Sequence, residues 1–234
     1  DRLLRLGVPA NRIQIIENWA ECGVDAPKAA ALSALRAQVA LTDKFVVGYS
    51  GNLGRAHEFQ TLLRAAEILK GDGEIVFLMI GGGAGMVNLL EATIERGLNN
   101  FLFLPYQPRE TLSDSLAASD VHWVSLLPEL EGLIVPSKFY GILAAARPTV
   151  FIGDTDGELA RAIRVGQCGI TVAVGDVEGL AGAVRHLKND PVHRGRLGSN
   201  AYRRYCEHYS ARRAFDRWTE IVRSVNPVPD ARAP

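Results

Sequence analysis

Residues 45–83 read FVVGYSGNLGRAHEFQTLLRAAEILKGDGEIVFLMIGGG. The stretch opens on a β-branched and aromatic run closed by glycine (45–51), the composition of a strand buried on both faces. Residues 58–70 then place apolar side chains at helical spacing and stop at Gly-Asp-Gly. Residues 74–83 form a second apolar run that ends in glycines. Two strands joined through a helix, with no short hairpin turn, predict a right-handed βαβ unit and therefore parallel strands.

The alternation continues along the chain. Apolar strand runs fall at 101–105, 121–127, 148–153 and 169–176. Helical patterns fall at 86–96, 109–118, 137–146, 156–165, 177–189, 191–207 and 211–224. This order predicts an α/β fold, a Rossmann-like, doubly wound parallel sheet of about six strands. Residues 45–207 form that domain, 208–225 a C-terminal helix, and 226–234 a Pro-rich disordered tail. Residues 1–44 read as a linker segment: a short helix in DRLLRLGVP, a strand over 11–17 (NRIQIIE) and a loop over 17–30 (ENWAECGVDAPKAA). The chain opens in mid-helix without a Met, so a segment of a longer protein is expected, with a further domain ahead of it.

Composition narrows the function. The chain has 234 residues, 26 basic and 26 acidic, for a formal net charge of zero, which argues against nucleic-acid binding by bulk electrostatics. Cys22, Cys168 and Cys206 show neither metal-ligand nor disulfide spacing, and no signal peptide or membrane-spanning run is visible. A reducing, cytoplasmic setting is expected. Residues 185–223 hold ten Lys or Arg against four acids. They read as a solvated helical face, with peripheral contact to the inner face of an anionic membrane as the alternative.

The glycine-rich loops SGNLG (50–54), GGGAG (81–85) and ELEGL (129–133) each follow a strand, so the topology brings them to one sheet edge. Gly51, Asn52 and Gly54 let backbone amides approach a phosphate, and Arg55 can pair with it. The loop is not a Walker A sequence, and a tight strand–helix turn explains it equally. Gly82 and Gly83 allow close approach of a base or ribose, or serve a flexible turn. Residues 127–150, LPELEGLIVPSKFYGILAAARPTV, gather an acid, a glycine and a lysine between a strand and a helix, which suits a ligand that is part sugar and part phosphate. His57 sits just before a helix. His122, inside a strand, reads as a satisfied core residue.

Taken in order, the segments IQIIENWAE, FVVGYSGNLGRAHEFQTLLRAAEIL, IVFLMIGGGAG, FLFLPYQPRETLSDSLAASDVHWVSL and CGITVAVGDVEGLAGAVRHLKNDP resemble the C-terminal, donor-binding domain of the GT-B glycosyltransferases of group 1 (GT4). The resemblance implies sugar transfer, with retention, from a nucleoside diphosphate sugar, UDP in the first instance, without a required metal or other cofactor. It implies a glycan or lipid-linked acceptor held by the N-terminal domain, a role in cell-surface polysaccharide synthesis, and a lone domain that is catalytically silent. By position, Gly51, Asn52, Gly54 and Arg55 would meet the diphosphate, with Lys138 as a second cation. Glu131 would contact the donor sugar, Gly132, Leu133 and Ile134 would offer backbone amides near the sugar and phosphate, and Ser137 would join the donor site.

The chain departs from the family pattern in its second acid, expected where Phe139, Tyr140 and Gly141 stand. PSKFYGILAA resembles a branch found among polysaccharide and O-antigen transferases acting on amino-deoxy sugars. Glu129 competes with Glu131 as the sugar's acid, and Glu158 is the candidate for ribose recognition. Two other classes remain open at this point: a nucleotide-sugar epimerase-like enzyme of the same two-domain fold, and a non-catalytic nucleotide-binding domain.

Overall fold

The computed structural model describes residues 2–20 and 33–225; the 226–234 tail, most of the 17–30 loop and Cys22 lie outside the described residues. A six-stranded sheet forms the centre: β1 (Phe45–Asn52), β2 (Ile75–Gly82), β3 (Phe101–Leu104), β4 (Val121–Ser125), β5 (Thr149–Gly153) and β6 (Gly169–Ala173). All pairings are parallel, in the order β3-β2-β1-β4-β5-β6. The expected doubly wound fold is therefore present, with its change of direction between β1 and β4.

Register decides where the sheet opens. β1 pairs with β2 along its whole length, from Phe45 opposite Ile75 to Asn52 opposite Gly82. It pairs with β4 only at Val47 opposite Val121 and Gly48 opposite His122. The carboxyl halves of β1 and β4 thus leave each other, and a crevice opens between them where such sheets take ligands.

Side chains alternate across the sheet. On one face Phe45, Val47, Tyr49, Phe77, Met79, Trp123 and Ile152 form a single apolar cluster with residues of α3 (Gln60–Leu69) and α8 (Val177–Asn189). On the other, Val46, Leu78 and Ile80 meet Leu35 of α2 (Ala34–Gln38) and Ala118, which follows α5 (Leu112–Ala117). Val124 and Phe151 on that face meet α6 (Lys138–Ala144), α7 (Glu158–Gly166) and α9 (Pro191–Arg204). α4 (Ala84–Glu95) follows β2, α10 (Ala211–Val225) closes the described chain, and α1 (Arg2–Arg5) opens it.

Polar side chains fix the helix ends. Asp114 accepts the Ala34 and Leu35 amides at 3.1 and 2.8 Å, capping α2 from α5. Asp176 and Asp190 cap α8 and α9, accepting Gly179 N–H at 2.9 Å and His193 N–H at 2.8 Å. Buried Arg147 donates to the carbonyls of Ser119 (2.8 Å), Ala117 (3.2 Å) and Ala145 (3.3 Å), so one guanidinium holds the ends of α5 and α6 beside the start of β5.

The strand expected over 11–17 does not form. Ala10–Arg12 make a 3₁₀ turn and residues 13–19 have no regular structure; a single bridge joins Ala20 to Ser210. The sheet ends at β3 and β6, so the apolar alternation here meets no strand edge, and Ile15 stays 76% exposed. The helix expected over 109–118 starts as a 3₁₀ turn, Arg109–Thr111, before α5.

Candidate functional site

The first two glycine-rich loops interlock at the carboxyl ends of β1 and β2. Gly51 and Gly81 have φ of +127° and +128°. A Cβ on Gly81 would lie 2.1 Å from the Gly51 carbonyl oxygen, and one on Gly83 would lie 2.2 Å from Asn52 Oδ1. No side chain fits at either place, which is why glycine is required there. Leu53 N–H donates to the Gly82 carbonyl at 2.8 Å, and Gly85 N–H to the Leu53 carbonyl at 2.9 Å. Gly54 follows at the turn, its carbonyl accepting from His57 N–H at 3.2 Å. Gly51, Asn52, Gly54, Gly82 and Gly83 therefore belong to one rim.

Lys138 lies across that rim. Its Cε would stand 2.9 Å from a Cβ on Gly51, so the bare glycine makes room for the lysine stem. Its ammonium lies 5.2 Å from the centre of the Tyr49 ring and 3.4 Å from His57 Nε2. His57 Nδ1 is 2.9 Å from the Ser125 carbonyl, so Nδ1 carries the hydrogen and Nε2 offers its lone pair to the ammonium. Burial, then the Lys138 charge, hold the His57 imidazole below its ordinary value, and burial lowers the Lys138 ammonium as well. No carboxylate pairs with Lys138 among the described residues. A half-buried cation with a neutral neighbour and no counter-charge is an electrostatic invitation to an anion.

Beside it opens a cleft of about 330 Å³ walled by Trp19, Leu112, Leu116, Trp123, Ile142 and Gly141, with Ser50, His122, Ser137 and Lys138 among its polar groups. A Cβ at Gly141 would meet Leu116 Cδ1 at 3.7 Å, an ordinary contact, so the missing side chain here widens the cleft rather than relieving a clash. The indole Nε1 of Trp123 and the Ser125 hydroxyl are buried without a partner among the described residues. At the outer rim the exposed Tyr106 ring lies over Gly82, 3.0 Å from where a Cβ would stand.

The acidic loop sits differently. Glu131 Oε1 accepts the Glu158 N–H at 2.7 Å, and Oε2 lies against Gly157, so its carboxylate caps α7 and lines no part of the cleft. Glu158 is brought to Glu131 as the first residue of α7. Gly132 takes φ +75° at the loop tip, while the Leu133 and Ile134 amides donate back to the Leu130 carbonyl at 3.0 and 3.1 Å. Leu133 and Ile134 side chains are exposed. Arg55 is exposed on the first loop, and Ser137 precedes α6 with its hydroxyl uninvolved in capping.

His57 was legible only as a residue before a helix; the signal that marks it is an imidazole inside the first glycine-rich loop, three residues after Gly54. His122 is buried as expected and held at about 4, first by burial, with its Nε2 2.9 Å from the Leu116 carbonyl. It is not fully satisfied, because its Nδ1 has no hydrogen-bond partner among the described residues and the ring borders the cleft. Burial pushes the Cys168 thiol up to about 11, which makes it inert; Cys206 is exposed. No group of three or more His, Cys, Asp or Glu able to hold a metal occurs among the described residues. No described helix is long and apolar enough to cross a membrane.

Comparison with known proteins agrees with this geometry. The family described as Glycosyl transferases group 1 matches residues 33–204, and the chain belongs to that family. The Escherichia coli (strain K12) protein WcaI, named as a colanic acid biosynthesis glycosyl transferase, is 28% identical over 232 residues, 97% of this chain and 54% of its own. The D-inositol 3-phosphate glycosyltransferase of Rhodococcus opacus (strain B4) is 30% identical over 234 residues, 95% of this chain and 50% of its own. The chain spans about half the length of these curated relatives. Among solved structures, Anabaena Alr3699/HepE in complex with UDP and glucose superposes with a TM-score of 0.75 at 18% identity, over 96% of this chain and 60% of that one. The C-terminal domain of the group 1 family protein LpcC from Francisella tularensis gives 0.65 at 16%, over 82% of this chain and 99% of that one. At these identities the structures share the fold.

Proposed function

We propose that this chain is the donor-binding domain of a glycosyltransferase that moves a sugar from a nucleoside diphosphate sugar, UDP-linked in the first instance, to a glycan or lipid-linked acceptor in cell-surface polysaccharide synthesis. The observation that carries the reading is Lys138: a half-buried ammonium without a carboxylate partner, set over Gly51 at the point where β1 and β4 part. The diphosphate lies on the Gly51–Gly54 loop, its charge met by Lys138 and, from the surface, by Arg55. The charge that grows on the leaving diphosphate is stabilised in place, so these groups act on the transition state by electrostatics. The nucleoside enters the cleft between Trp19, Leu116 and Gly141, near the exposed ring of Tyr106. Glu131 serves from its seat on α7, fixing the loop that borders the sugar, and Glu158 holds the other end of that contact. Gly132, Leu133, Ile134 and Ser137 shape the same border.

An epimerase-like enzyme needs free carboxylates at the sugar ring. None lines the cleft, and Glu131 is engaged with α7. UDP-bound and UDP-glucose-bound neighbours favour uridine among the bases to test first. The test is thermal unfolding with UDP, GDP and ADP in turn. One nucleoside diphosphate raises the melting temperature of the parent and leaves Lys138→Met unmoved. A parent indifferent to all three contradicts the reading.

A further inference from the structure

The Lys138–His57 contact has a chemical consequence. His57 Nδ1 donates to the Ser125 carbonyl at 2.9 Å, which commits that nitrogen's hydrogen. The other nitrogen faces the Lys138 ammonium at 3.4 Å. A proton on Nε2 would set two cations head to head in a half-buried site, so the imidazole is neutral and accepts from the ammonium. An anion placed against Lys138 reverses this. The ammonium turns its hydrogens to the anion, Nε2 loses its donor, and a protonated imidazole gains an acceptor.

We propose that His57 is a direct ligand of the donor's diphosphate, neutral in the free protein and protonated in the complex, so that binding takes up one proton from solvent. The proposal rests on the donor-site reading above and adds the identity and charge state of the second ligand. The proton comes from hydronium or buffer acid and goes to Nε2, Nδ1–H stays on the Ser125 carbonyl, and no other bond changes.

The groups that face His57 are few. From β1 comes Tyr49, its ring edge-on at 5.9 Å; burial raises its phenol well above the ordinary value, and its hydroxyl donates to the Asn52 carbonyl at 2.7 Å. From α6 comes Lys138, and from β4 the Ser125 carbonyl. The Asn52 backbone lies on the strand end beside it. On its own loop, Arg55 is exposed and the Glu58 carboxylate is turned onto Thr61 N–H at 2.9 Å. Burial is therefore the first cause that holds His57 down in the free protein, and the Lys138 charge, the nearest cation, acts in the same direction. A bound diphosphate brings opposite charge to the same spot, which shifts such a group upward by roughly one to three pH units.

The experiment is an NMR pH titration of the histidine imidazoles, with the His57 signal assigned by its loss in His57→Gln. It is run on the parent chain alone and with inorganic pyrophosphate, the donor's charged part without base or sugar. His57 alone titrates below 6.5. It rises by roughly one unit or more with pyrophosphate, and in Lys138→Met without ligand it rises toward its ordinary value. Pyrophosphate affinity falls by up to about tenfold per pH unit between the two titration points in the parent, and less steeply in His57→Gln. If pyrophosphate binds while His57 titrates unchanged, the proposal is overturned and the donor-site reading stands. If pyrophosphate does not bind, both fall.

Discussion

Gly81 stands so close to Gly51 that a Cβ on the former would be 2.1 Å from the carbonyl oxygen of the latter, and both residues take positive φ. This packing ties the first two βα loops into one rim before any ligand arrives. Gly81→Ala must either strain its own backbone or push the Gly51 carbonyl aside. A loss of roughly 2–3 kcal/mol is expected, read as a fall in melting temperature of roughly 5–10 °C. Gly71→Ala, where a Cβ meets nothing within 4 Å, is the control and changes little.

Lys138 and Arg55 are both cations on the rim, but they are not equivalent. Near a protein surface, two unit charges 4 Å apart are worth about 4 kcal/mol, whereas exposed pairs yield about 1 kcal/mol or less. Half-buried Lys138 belongs to the first class and exposed Arg55 to the second. In calorimetric titrations with UDP, Lys138→Met is expected to weaken binding by roughly 100-fold or more, and Arg55→Met by about fivefold or less. Equal effects would contradict the ranking.

Glu131 acts through α7. Glu131→Ala leaves the Glu158 amide without its acceptor and is expected to cost about 1 kcal/mol in denaturant unfolding. Glu131→Gln keeps an acceptor oxygen and loses only the charge at the helix start, a few tenths to about 1 kcal/mol. Hydrogen exchange at the Glu158 amide quickens in the alanine variant and stays slow in the glutamine variant.

His122 sets an acid limit on stability. Its folded-state value of about 4 lies below the ordinary 6.5, so the native state holds fewer protons than the unfolded chain between them. Stability is then full above pH 6.5 and falls as the pH drops toward 4, by up to about 3 kcal/mol from this residue. Denaturation curves across that window should flatten in His122→Gln. An identical slope in parent and variant would show that another group dominates acid unfolding.

Much of the fold was legible because parallel strands buried on both faces read as unbroken apolar runs, as in Phe45–Tyr49 and Ile75–Ile80. The 11–17 segment misled because its alternating Ile residues look like half a hairpin, and a strand needs an edge to pair with. At the site, the glycines and Lys138 announced themselves through type and position. The Glu131 contact did not, since its partner amide lies 27 residues on in another helix. Nor did the Lys138–His57 contact, which spans 81 residues and depends on how β1 and β4 diverge.

The central claim is that a nucleoside diphosphate binds where β1 and β4 part. Its most direct test is backbone amide NMR of the chain titrated with UDP. The account predicts that the largest shifts cluster at Gly51, Asn52, Gly54, His57, Ser125 and Lys138, and vanish in Lys138→Met. Shifts centred elsewhere, or none at saturating UDP, would contradict it.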